Sequence, residues 1–79
     1  MLEFKINIIQ ELEKNGWTAA KIKEYKNKTG ITLIGQKTFY DMKNNNIVPG
    51  IKTLNNLCFM LGKQPGSIIR YIPDGEIKQ

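Results

Sequence analysis

Glycine and proline interrupt this chain at short, regular intervals, and that punctuation restricts it to short helices. With Gly16, Gly30, Gly35, Gly50 and Gly62, and Pro49, Pro65 and Pro73, no apolar-periodic run exceeds about four helical turns. Between the breaks, apolar residues recur at steps of three and four, the spacing of a helix face. Leu2, Ile6, Ile9 and Leu12 predict a first amphipathic helix over 2–15, with Glu3, Asn7, Gln10 and Lys14 on its opposite face. Gly16 stops it, Trp17 offers a large apolar anchor, and Thr18 suits the N-cap of the next helix.

That second helix, about 18–28, has only a narrow apolar stripe of Ile22 and Tyr25, helped by Ala19. Lys21, Lys23, Lys26 and Lys28 crowd the rest. Thr29 and Gly30 end it, and the apolar stretch 31–34 reads either as a buried turn or as a short strand. Gly35 precedes a third helix, about 36–44, anchored by Phe39 and Met42 at i, i+3. At about 100° per residue, Lys37, Tyr40, Asp41 and Asn44 point away from that pair, with Gln36 and Lys43 on one flank. Asn44, Asn45 and Asn46 break the helix, because their side chains compete for backbone hydrogen bonds and tolerate left-handed turns.

The fourth helix, Ile51–Leu61, is the most hydrophobic. Ile51, Leu54, Leu57, Cys58 and Leu61 are expected on its inner face, so Phe59 and Met60 need a second apolar surface. A fifth helix starts at Pro65, carries Ile68, Ile69 and Ile72, and stops at Pro73. The expected architecture is a compact all-α domain of five helices over residues 1–73, followed by a flexible polar tail at 74–79.

Size and composition narrow the chemistry. Seventy-nine residues at 41% apolar and 24% charged leave room for one ordinary globular domain with a modest core. There is no histidine, the commonest general base and metal ligand, and Ser67 is the only serine. Cys58 stands alone, which excludes a disulfide framework or a paired-cysteine metal clip and suits a small apolar residue in a reducing compartment. Glu11 and Glu13, two apart on a helix, point to different faces and make no carboxylate dyad. The glycines match no phosphate-loop or dinucleotide pattern. No enzyme activity, cofactor or metal is expected.

Twelve basic against seven acidic residues give a net charge of +5 and a pI near 9.5, which points to an anionic partner. Lysine supplies nearly all of it, Arg70 being the only arginine; lysine suits diffuse phosphate contact. No apolar run approaches the roughly 18 residues of a membrane span, and the opening residues lack the order of a signal peptide. The expected location is the cytoplasm.

The second helix, the turn and the third helix form the constellation with mechanical meaning. A helix that reads DNA presents polar side chains opposite its anchor and keeps its N-terminus accessible to phosphate. Here the sequence resembles the small XRE-like helix-turn-helix regulators typified by phage Cro and repressor proteins, of lambda-repressor-like fold. Asn15-Gly-Trp-Thr18 resembles the entry to the motif's first helix, Thr29-Gly-Ile31 its glycine turn, and Lys37-Thr-Phe-Tyr-Asp-Met42 its recognition helix. Thr53-Leu-Asn-Asn-Leu-Cys58, Leu61 and the stretch from Pro65 to Pro73 are similar to the closing helices of a short subgroup. From Thr18 to Thr38 the chain is roughly six residues longer than the usual motif, whose turn has only about three or four residues.

The resemblance implies a sequence-specific regulator that binds double-stranded DNA, without a small-molecule substrate. Gln36, Lys37, Tyr40 and Asn44 are then the base-reading candidates. Thr18, Lys21, Lys28, Lys43, Asn46 and Lys52 are the phosphate candidates. Phe59, Met60, Ile69 and Tyr71 are expected to form the interface of a homodimer through the last two helices. Against these stand plainer readings: a solvated lysine face, a rim aromatic at Tyr40, a turn device at 44–46. A different class of function, a small protein-binding module such as an inhibitor or antitoxin-like partner, would use the same surfaces. Salt separates the two, because phosphate binding weakens steeply with salt and apolar docking does not.

Overall fold

The computed structural model describes residues 1–73; the tail expected at 74–79 lies outside the described residues. The element order is β1 (Leu2–Phe4), α1 (Ile8–Lys14), α2 (Ala19–Thr29), α3 (Gln36–Asn45), α4 (Ile51–Leu61), α5 (Pro65–Ile68) and β2 (Ile69–Tyr71). The fold is mostly helical, with five helices among the described residues, and carries in addition a small antiparallel sheet.

That sheet corrects both ends of the expected helical pattern. The first helix begins at Ile8, not Leu2, because Asn7 caps it: the Asn7 side-chain oxygen accepts from the Gln10 backbone N–H at 3.1 Å. Ahead of the cap, Leu2-Glu-Phe-Lys-Ile alternates apolar and polar residues, and Leu2–Phe4 of it pairs as a strand. The fifth helix likewise ends at Ile68, after which Ile69, Arg70 and Tyr71 extend as β2. The register sets Leu2 opposite Tyr71, Glu3 opposite Arg70 and Phe4 opposite Ile69. Arg70 Nε donates to Glu3 Oε2 at 2.6 Å across the ladder. The Lys5 N–H donates to the Ile68 carbonyl and the Ile72 N–H to the Met1 carbonyl, at 2.8 and 2.7 Å. Residues 1–5 and 68–72 are thus tied together.

Every helix contributes to one core: Ile8 and Leu12 from α1, Ile22 from α2, Met42 from α3, Leu57, Met60 and Leu61 from α4, and Ile68 from α5, joined by Phe4 of β1. Stretch 31–34 forms no strand. It is a turn that buries Leu33 and Ile34 and leaves Ile31 exposed. Cys58 and Trp17 are half-buried against the core.

The inner face of α4 is rotated from its expected position. It centres on Leu57, with Met60 and Leu61 also buried, and at about 100° per residue Ile51 lies about 120° from Leu57. Ile51 is accordingly 86% exposed. The same rotation buries Met60 inside the chain's own core, which removes it from any seam with a second copy. Phe59, about 160° from Leu57, is 61% exposed.

Two polar ties position the helices around the motif. Trp17 Nε1 donates to the Met60 carbonyl at 3.0 Å, satisfying a carbonyl in the last turn of α4 that has no helical partner. The Trp17 ring also meets Tyr25 edge-on at 5.8 Å, fixing the α1–α2 corner. Asn56 Nδ2 donates to the Leu33 carbonyl at 3.0 Å, so α4 holds the turn between α2 and α3.

Candidate nucleic-acid interface

The sequence sets up α2 and α3 locally by different means. Thr18 caps α2, its hydroxyl oxygen accepting from the Lys21 N–H at 3.2 Å, and Gly30 closes the helix in the left-handed region at φ 78°. Six residues, 30–35, then connect α2 to α3, where the usual motif has about three or four. The added length noted in the sequence therefore sits partly in this turn. α3 opens at Gly35, which offers no side-chain cap; the only atom near where its Cβ would sit is the Thr38 hydroxyl oxygen, at 4.0 Å. With no acidic residue in the first turn, the amides of that turn stay open to an anion. α4 starts in the same way at Gly50, beside Lys52.

On α3, Met42 is buried and Phe39 half-buried, as their spacing indicates. Gln36, Lys37, Tyr40 and Asn44 are all exposed, so the four base-reading candidates share the outward side of one helix. Asp41 does not project freely beside them. Lys37 Nζ lies 3.1 Å from Asp41 Oδ2, and Asn45 Nδ2 donates to Asp41 Oδ1 at 3.5 Å. This pairing cancels the one negative charge on the face. An exposed ion pair of this kind is worth at most about 1 kcal/mol, so Lys37 can exchange Asp41 for another acceptor at little cost.

The phosphate candidates fall in three places. Thr18 and Lys21 lie at the start of α2, and accepting from the Lys21 N–H leaves the Thr18 O–H free to donate. Lys28 lies in the last turn of α2, and Lys43 in the last turn of α3, where each also complements the negative end of its helix. Asn46 ends α3 at φ 53°, a conformation asparagine tolerates. Together with Lys43 and Asn44 it borders a cavity shared with Phe4 and the start of α1. Lys52 lies in the first turn of α4. Lys21 is shared with Glu24 at 3.5 Å.

Of the interface candidates, Phe59 and Tyr71 are exposed, Ile69 is half-buried against the core, and Met60 is buried. Sequence reasoning missed Ile51, which lies on the same side of α4 as Phe59 through Asn55 at steps of four. No local signal marked it: Ile51 falls within the apolar spacing of α4, and only packing leaves it outside the buried arc.

A capped helix, a turn and a second helix whose polar side faces outward define a helix-turn-helix DNA-binding domain. A family model described as the Cro/C1-type HTH DNA-binding domain matches residues 7–74, and the chain belongs to that family. No curated protein and no solved structure matches the chain. No helix among the described residues is long and apolar enough to cross a membrane.

Proposed function

We propose that the chain is a sequence-specific regulator of Cro or repressor type that acts on double-stranded DNA in the cytoplasm, by binding and without catalysis. Residues 1–73 form its DNA-binding domain. The observation that supports this reading best is α3 itself: an exposed polar side carrying Gln36, Lys37, Tyr40 and Asn44, beside a helix N-terminus with no side-chain cap. In this reading α3 enters the major groove, where such side chains meet the donors and acceptors of base edges. Thr18, Lys21, Lys28, Lys43, Asn46 and Lys52 contact the flanking phosphates and set the register.

One α3 spans only a few base pairs, so two copies on half-sites about 34 Å apart would supply the specificity. The exposed apolar residues Phe59, Ile51 and Tyr71 support a homodimer, with Ile69 at its edge. Selection of bound duplexes from random DNA tests the whole reading. A two-fold symmetric consensus, bound with a steep salt dependence, is the expected result. Absence of any enriched sequence, together with salt-insensitive capture of a protein partner, would replace this reading with the protein-binding module.

A further inference from the structure

We infer that the groove between α2 and α3 is a binding site for a small amphipathic organic anion, with one carboxylate and a short apolar body. The groove encloses about 450 Å³, within the range of small-molecule sites. Its floor is apolar: Ile22 of α2, Ile34 of the turn and Phe39 of α3. The lengthened turn builds part of the wall, since Thr32 and Ile34 both come from 30–35. The turn thus completes a groove whose other lining residues come from α2 and α3.

The rim selects the charge. Lys23 and Lys26, at i, i+3 on α2, both line the groove and both are exposed. Neither forms an ion pair with any of the described residues; Glu24, between them in sequence, points to another side of α2 and pairs with Lys21. The remaining polar groups are the Thr32 hydroxyl and the Gln36 amide, so the lining contains two cations and no carboxylate. A carboxylate on an apolar body answers both halves of this surface. A free phosphate would leave the apolar floor wet, and a neutral apolar molecule would leave both lysines unused.

Octanoate is a suitable probe, followed by backbone amide NMR on the full chain, with octylammonium and inorganic phosphate as controls. Octanoate is expected to shift the amides of 19–26 and 32–39 in a saturable way, and the controls are not. The Lys23→Gln/Lys26→Gln variant is expected to bind about three- to tenfold more weakly. Ala20→Phe, at an exposed position on the groove wall, is expected to block binding while the rest of the spectrum stays unchanged. The inference is overturned by equal binding of octylammonium or phosphate, by unchanged affinity in either variant, or by no saturation below about 10 mM.

Discussion

Replacing Phe4 and Leu2 separately by alanine tests the architecture of the chain's start. Were residues 2–15 one helix with Leu2, Ile6, Ile9 and Leu12 inward, Phe4 would point about 145° from the centre of that face and be dispensable. In β1 the order of importance reverses. Phe4 is 7% exposed and sits in the core beside Ile8 and Ile68, whereas Leu2, two residues further out on the same strand, is 52% exposed. Truncating a buried Phe costs about 3–5 kcal/mol. Phe4 lies at the rim of the core, so the low end, about 3 kcal/mol, is expected, a large part of the stability of a domain this small. At about 4–8 °C per kcal/mol, Tm should fall by roughly 12–24 °C. Leu2→Ala should cost about 1 kcal/mol or less, because half its surface stays in water. Thermal and urea unfolding, followed by circular dichroism and Trp17 fluorescence, measure both. A Leu2→Ala loss equal to or greater than that of Phe4→Ala would falsify the strand pairing.

Alanine at each of Gln36, Lys37, Tyr40 and Asn44 should cost about 1–3 kcal/mol on a selected operator and relax preference at one base position; unchanged affinity with all four replaced would rule out α3 as the reading helix. Lys→Ala at 21, 28, 43 or 52 should weaken specific and non-specific duplexes about equally and lower the salt slope by about 0.9 per lost contact. A sequence-selective loss from these changes would contradict a phosphate role. Sedimentation over a concentration series should show self-association that Phe59→Glu abolishes without loss of helical signal, since a charge placed in an apolar seam stays unpaired; a wild-type monomer at every concentration that binds one half-site would refute the dimer.

The helices from α2 to α4 were legible because their signals are local. Thr18 accepts from an amide three residues ahead, Gly30 adopts its own left-handed φ, and Phe39 and Met42 find one face through the helix period alone. For the same reason the exposed side of α3 could be read from spacing, and with it the four residues proposed to meet DNA. Placement of Met60 and Ile51 was not legible. Leu57 and its neighbours offer apolar side chains over more than half of α4, and packing against the rest of the core, α1 and α5 above all, selects which arc is buried.

The sequence by itself determined where the helices of the motif start and stop, which side of α3 stays polar, and that the chain is basic and contains no histidine. Tertiary structure alone decided that Leu2–Phe4 and Ile69–Tyr71 are strands, that Met60 is core, and that the turn at 30–35 stands open enough to form a groove. The reason is the range of the interactions. A cap or a helix face closes within four residues, whereas a strand has no internal hydrogen bonds and must wait for its partner, here Arg70 meeting Glu3 from 67 residues away.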